Sequence, residues 1–172
     1  MAETLYDLTH RRAVRKYKDT PVPKELLDKI LEAGEYAPTA MGSQRACIVA
    51  VTNRAERDQI EELNRRIMGI DGKPFYGAPV VIVVFGDMSW PMGVKDGSLI
   101  MGNLLNAAQA VGLGSCWIDR AEPVFRTEEG RALMKKWGVP EGYEGVGNCI
   151  IGYADDEPQP VPRHEGYVIY AD

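Results

Sequence analysis

The chain has 172 residues, 45% hydrophobic and 26% charged, a balance that suits one globular domain large enough to bury a core. Its net charge of -5, with no basic stripe, argues against a nucleic-acid partner. No apolar stretch is long enough to span a membrane, and Met1-Ala2-Glu3-Thr4-Leu5 has no basic region leading into an apolar run, so the expectation is a cytoplasmic protein with no membrane partner.

Leu5 and Leu8 predict a short first helix with one apolar stripe. Pro23 suits the first position of a second helix, whose core face is Leu26, Leu27, Ile30 and Leu31, and Pro38 closes it. Ala46 to Val51 reads as a strand. Asn53 with Glu56 resembles a capping box opening a helix to about Ile67. Turn signals at Asp71-Gly72 and Lys73-Pro74 make 68–77 a loop. Val80 to Phe85 is a continuous β-branched run, expected of a strand covered on both faces. The helix over 94–111 is apolar around most of its circumference, which places it centrally or in an oligomer interface, and Gly112 stops it. Ser115 to Ile118 is a short strand, Thr127 to Trp137 a helix closed by Gly138, and Glu144 to Ile151 a last strand. These elements give a main domain over 1–153 and a proline-rich arm over 154–172, whose apolar end at Tyr167 to Tyr170 needs a docking surface.

Two segments carry chemistry. Arg11-Arg12-Ala13-Val14-Arg15 concentrates guanidinium groups, whose planar forks match phosphate oxygens two at a time. Ala37-Pro38-Thr39-Ala40-Met41-Gly42-Ser43-Gln44 is a turn-rich loop with backbone donors, hydroxyls and an amide, suited to a flat heterocycle. Together they suggest a phosphorylated aromatic cofactor. A solvated arginine face and an ordinary loop are the plain alternatives. Gly112 to Asp119 adds small residues beside Trp117, either a flat binding face or a helix-to-strand turn with a core tryptophan. The Gly112-Leu113-Gly114 and Gly145-Val146-Gly147 runs fail the strand–glycine–helix order of a dinucleotide fingerprint, and no P-loop is present. Cys47, Cys116 and Cys149 form no metal pattern and read as reduced thiols; with only His10 and His164, no metal site is expected.

These residues resemble the FMN-dependent nitroreductase family. Arg11 to Arg15, with Tyr17 and Pro21-Val22-Pro23, looks like its opening, and Ala37 to Gln44 looks like its second flavin loop. Gly112 to Ile118 looks like its third flavin segment, and Ile151-Gly152-Tyr153 with the prolines and Arg163 like its last strand and arm. The motifs stand in the family's order along nearly the whole chain. Alternating helices and strands by themselves favour a parallel doubly wound sheet. The resemblance implies instead an α+β fold with a mixed sheet flanked by helices, in a homodimer holding two FMN molecules at the subunit interface, the arm docking on the dimer.

Carried over, Arg11, Arg12, Ala13 and Arg15 would hold the phosphate and the N1–O2 side of the flavin, and Arg163 would add a phosphate contact. Pro38, Thr39, Ala40, Met41 and Gln44 would come from the other subunit. Cys116, Trp117, Ile118 and Asp119 would lie along the ring, with a backbone N–H near Asp119 facing N5. No side chain acts as acid or base, because the flavin carries the chemistry. The implied activity is hydride transfer from NADH or NADPH to a flat small-molecule substrate such as a nitroaromatic or quinone. The alternatives are a relative fed by another donor such as ferredoxin, a flavin-binding module without fast turnover, and a structural dimer without flavin. Ala13, Gly42 and Arg45-Ala46 depart from the family pattern. The chain lacks the long insertion that covers the pocket in larger members, which leaves 68–76 as a candidate lid.

Overall fold

The computed structural model describes residues 3–69 and 71–171. Met1 and Ala2 of the opening segment, Ile70 of the expected loop and Asp172 of the arm lie outside them. The first helix, α1 (Glu3–His10), has its two leucines more than half exposed, so the expected apolar stripe is uncovered within one chain. In α2 (Lys24–Glu35), Pro23 is the N-cap rather than the first helical residue. Leu27 and Ile30 supply its buried face. Gly34 lets α2 close on the helix α4 (Gly93–Ala110), since a Cβ there would sit 2.8 Å from Leu104 Cδ2.

The strand β1 (Ala46–Val51) leads through Asn53, whose side chain accepts the Glu56 N–H at 3.1 Å, into α3 (Arg54–Met68). The remaining elements are β2 (Val80–Asp87), β3 (Gly114–Ile118), α5 (Ala121–Arg126), α6 (Glu128–Trp137) and β4 (Tyr143–Gly152). The sheet order is β1-β2-β4-β3, and every pairing of these strands is antiparallel. This corrects the expected mixed sheet, and equally the parallel one. Among the described residues the only parallel pairing is an isolated bridge from Ala13 to Ser115.

The Val80 to Phe85 run is covered on both faces as expected, with no exposure above 5%. One core lies between the sheet and α3, α5 and α6, and holds Val81, Val83 and Phe85. The other lies between the sheet, α2 and α4, and holds Val80, Ile82 and Val84. Two-sided burial therefore arises here without parallel strands. The short helix α5, which contains Pro123, was not foreseen.

The end of the loop before β2 is tied to α3. Phe75 is fully buried, and its N–H donates to Glu61 Oε1 at 2.9 Å. Arg57, itself buried, donates through Nε to the Ala78 carbonyl at 2.9 Å and pairs with Glu61 at 2.6 Å. These contacts fix the C-terminal end of the stretch whose turn content suggested a lid. The arm leaves β4 through a bridge between Tyr17 and Ala154 and an ion pair of Lys16 with Asp155 at 2.8 Å. Beyond Pro158 it is exposed, and Ile169 and Tyr170 are each 86% exposed.

Candidate functional site

The segment Arg11 to Arg15 runs extended along the free edge of β3. The Val14 N–H donates to the Ser115 carbonyl at 3.0 Å, and Val14 packs onto Gly114 so closely that a Cβ there would lie 2.8 Å from Val14 Cγ2. Burial raises the pKa of the Cys116 thiol, and the charges of Arg15 and Arg11 oppose that rise. Both guanidiniums therefore act on the same stretch of β3. Arg12 departs from them. Its Nη1 donates to the Thr9 and Arg11 carbonyls at 2.9 and 2.8 Å. It lines a separate cavity of about 300 Å³ with His10, Gln109, Asp156 and Pro158. Arg12 is thus turned toward the root of the arm, while the charges of Arg11 and Arg15 are felt at β3.

Along β3 the side chains alternate. Cys116 and Ile118 are buried, while Trp117 is 37% exposed on the opposite face. Its ring lies over Gly147 of β4, where a Cβ would stand 2.7 Å from the indole Nε1. Glycine at that position is what lets the ring approach the sheet. Trp117 then borders a cavity of about 550 Å³ with Val94, Ser98, Asp119 and Arg120. A larger cavity of about 660 Å³, between α5, α6 and the start of β4, contains none of the residues expected in the site.

Just past β3 the backbone is held by two buried amides. Asn64 Nδ2 donates to the Asp119 carbonyl at 3.0 Å. Asn148 Nδ2 lies 3.3 Å from the same carbonyl and 3.2 Å from that of Ile118. Arg120 follows with φ +71°, a conformation unfavourable for a residue with a Cβ. Neither asparagine was anticipated. Both are fully buried; Asn148 stands out in the sequence as a polar residue in an otherwise apolar run, whereas Asn64, between Leu63 and Arg65 in a polar helix, leaves no such trace.

The loop expected at the flavin is a tight turn. Thr39 Oγ1 accepts the Gln44 N–H at 3.0 Å, and Met41 and Gln44 hold φ values of 56° and 50°. Met41 is 92% exposed, Pro38 is exposed, and the Ser43 hydroxyl is buried without a partner among the described residues. Ala40 is fixed from α4, where the buried Asp96 accepts its N–H at 2.9 Å. Asp96 was also missed, although an acid on so apolar a helix is a visible signal. Arg163 is exposed on the arm and has no ion-pair partner among the described residues.

The geometry thus offers two guanidiniums beside a strand end, an indole face over a glycine, and a strained turn rich in backbone donors. Comparison with known proteins agrees in scope with these segments. The model of the nitroreductase family matches residues 8–71 and 67–153. A protein of Methanothermobacter thermautotrophicus, provisionally named NADH dehydrogenase/NAD(P)H nitroreductase, is 31% identical over 91% of this chain and 80% of its own. The iodotyrosine deiodinase of Thermotoga neapolitana is 29% identical over 96% of this chain and 97% of its own. The crystal structure of a nitroreductase with bound FMN from Bacteroides fragilis superposes over the whole of both chains, with a TM-score of 0.89 at 27% identity. With its architecture and nearly its entire length accounted for in this way, the chain belongs to the nitroreductase family.

Proposed function

We propose that this protein is an FMN-dependent oxidoreductase that takes a hydride from NADH or NADPH and passes it to a flat acceptor such as a nitroaromatic or quinone. The observation that carries the reading is that the arginine run lies along β3, bonded there from Val14 to Ser115, on the strand whose Trp117 ring rests over Gly147. The residues fit the cofactor: guanidiniums suit a terminal phosphate, and the glycine-backed indole and the donor-rich turn suit a planar ring. The FMN in the Bacteroides fragilis structure and the name of the Methanothermobacter thermautotrophicus relative support cofactor and donor. When bound, FMN supplies the hydride-accepting and hydride-donating chemistry. The chain's residues bind, orient and limit access to it.

In this reading Arg11, Arg15 and, through the arm, Arg163 hold the phosphate, and Cys116 to Asp119 run beside the ring. Arg12 contributes if its guanidinium turns away from its own backbone. Pro38 to Gln44 serves the site of a second copy. Apolar surface left open in one chain, at Leu5, Leu8, Met41, Leu99 and Tyr167 to Tyr170, supports a homodimer on which the arm docks. No described helix is long and apolar enough to cross a membrane. The three cysteines are unpaired, which accords with a cytoplasmic location.

The deiodinase relative favours a second reading for the acceptor alone, a halogenated phenol in place of a nitro compound or quinone. Anaerobic mixing of flavin-loaded protein with NADH, then NADPH, followed by each acceptor class, tests the proposal. Bleaching by a nicotinamide donor and reoxidation by a nitroaromatic or quinone is the expected result. Bleaching by dithionite but by neither nicotinamide points to another donor such as ferredoxin.

A further inference from the structure

We infer that Arg120 selects acceptors carrying an anionic group, such as a carboxylate on the aromatic ring. This rests on the FMN-dependent reading above and names the substrate class for that site. Arg120 borders the cavity of about 550 Å³ that Trp117 also lines. Its Nε donates to Asn64 Oδ1 at 3.0 Å. Asn64 is fully buried, and its own Nδ2 is held by the Asp119 carbonyl. The side chain is thus aimed by a buried amide, leaving its two terminal nitrogens for another partner.

No such partner is built in. Among the described residues no carboxylate lies within 4.0 Å of the Arg120 nitrogens. The neighbouring Arg126 is different, being paired with both Glu122 and Glu144. Arg120 also holds its place at φ +71°, where glycine would be easier. An arginine kept in a strained backbone position, oriented by a buried side chain and left without a counter-charge, is arranged for a planar anion. Arg120 and Trp117 line the same cavity, and an anion held there would lie beside the ring-binding face. The phosphates of a nicotinamide donor, separated from the reacting ring by a sugar, fit this position less well. The carboxylates of Asp119, Glu122 and Glu144 line the same cavity and oppose the anion, but Glu122 and Glu144 are paired with Arg126, and Asp119 is solvent-exposed and therefore screened.

The test compares 4-nitrobenzoate with nitrobenzene as acceptors for flavin-loaded protein. Arg120→Gly deletes the fork and suits the positive φ but leaves the buried Asn64 Oδ1 without its donor, so its melting temperature is measured beside those of the parent and Arg120→Lys. It should lower the ratio of kcat/KM for nitrobenzoate over nitrobenzene by about ten- to a hundredfold. Arg120→Lys should recover part of the ratio, and Asp119→Asn should raise it. Benzoate, which is not reduced, gives a readout independent of turnover. It should quench Trp117 fluorescence in the parent and much less in Arg120→Gly, with Trp117→Phe identifying the signal. An unchanged ratio, an equal loss with both acceptors, or an effect confined to the KM for NADPH would overturn the assignment. If the parent takes up no FMN, the FMN-dependent reading fails. The benzoate titration then still decides whether Arg120 binds the anion.

Discussion

The Asp96 carboxylate joins two distant segments: one oxygen accepts the Ala40 N–H at 2.9 Å and the other accepts the Trp90 indole N–H at 3.2 Å. Asp96 is 2% exposed, and each bond is at least partly shielded from water. It anchors the turn in which Met41 and Gln44 hold positive φ, each at a cost of about 1–3 kcal/mol that surrounding contacts must offset. Asp96→Ala leaves two N–H groups without their acceptor. It should lower stability by about 1–3 kcal/mol and weaken FMN binding. Amide exchange at Ala40 reports the local effect, and an unchanged exchange rate would show that the turn holds its shape without Asp96.

The apolar circumference of α4 divides into two uses. Leu104 is fully buried against α2 within one chain, whereas Leu99 is 48% exposed. Leu104→Asp should therefore prevent folding by burying an unpaired charge. Leu99→Asp should give a folded chain that no longer dimerises and holds FMN less tightly. Sedimentation of Leu99→Asp as an intact flavin-bound dimer would remove this face of α4 from the interface.

Arg163 is exposed, with no ion-pair partner among the described residues. If it closes on the flavin phosphate in the dimer, Arg163→Ala should weaken FMN binding by about ten- to a hundredfold. It should also make the Pro158–Pro162 stretch easier to cleave. Arg163→Lys should recover only part, because an ammonium lacks the fork. A flavin titration of the Ala variant that matches the parent would leave Arg11 and Arg15 as the phosphate anchors.

Local signals were legible where one residue type imposes one geometry. Asn53 caps α3, Gly138 closes α6 at φ +74°, and β1 spans the expected Ala46–Val51. Sheet direction was not legible, because the valine run of β2 encodes burial on both faces and says nothing of its neighbours' polarity. The helix α5 was hidden by Pro123 and by the left-handed Arg120 that precedes it. In the site, the arginine run and Trp117 could be seen from composition. The supports could not, since Asp96, Asn64 and Asn148 act across separations of 29 to 56 residues. The turning of Arg12 toward its own backbone depends on how α1 ends, which the charge pattern does not record.

The contact between α3 and α6 carries a pH signature. Glu56 lies 2.6 Å from Lys136 Nζ and accepts the Trp137 indole N–H at 2.9 Å. The Lys136 hydrogen bond, then that of Trp137, holds its carboxyl below the usual 4.5. A lowered folded-state pKa adds stability that is complete above the unfolded value and is lost as pH falls through the folded one. Thermal melts of the parent and Glu56→Gln should therefore differ at about pH 6 and converge toward about pH 3. A gap that stays constant across that range would mean that the Glu56 charge contributes nothing.

An absorption spectrum of the purified protein, taken anaerobically before and after NADH or NADPH, bears most directly on the proposed activity. The account predicts flavin bands corresponding to one FMN per chain, present on purification or after adding FMN, and bleached by a nicotinamide donor. A colourless protein that takes up no FMN at micromolar concentration would contradict it.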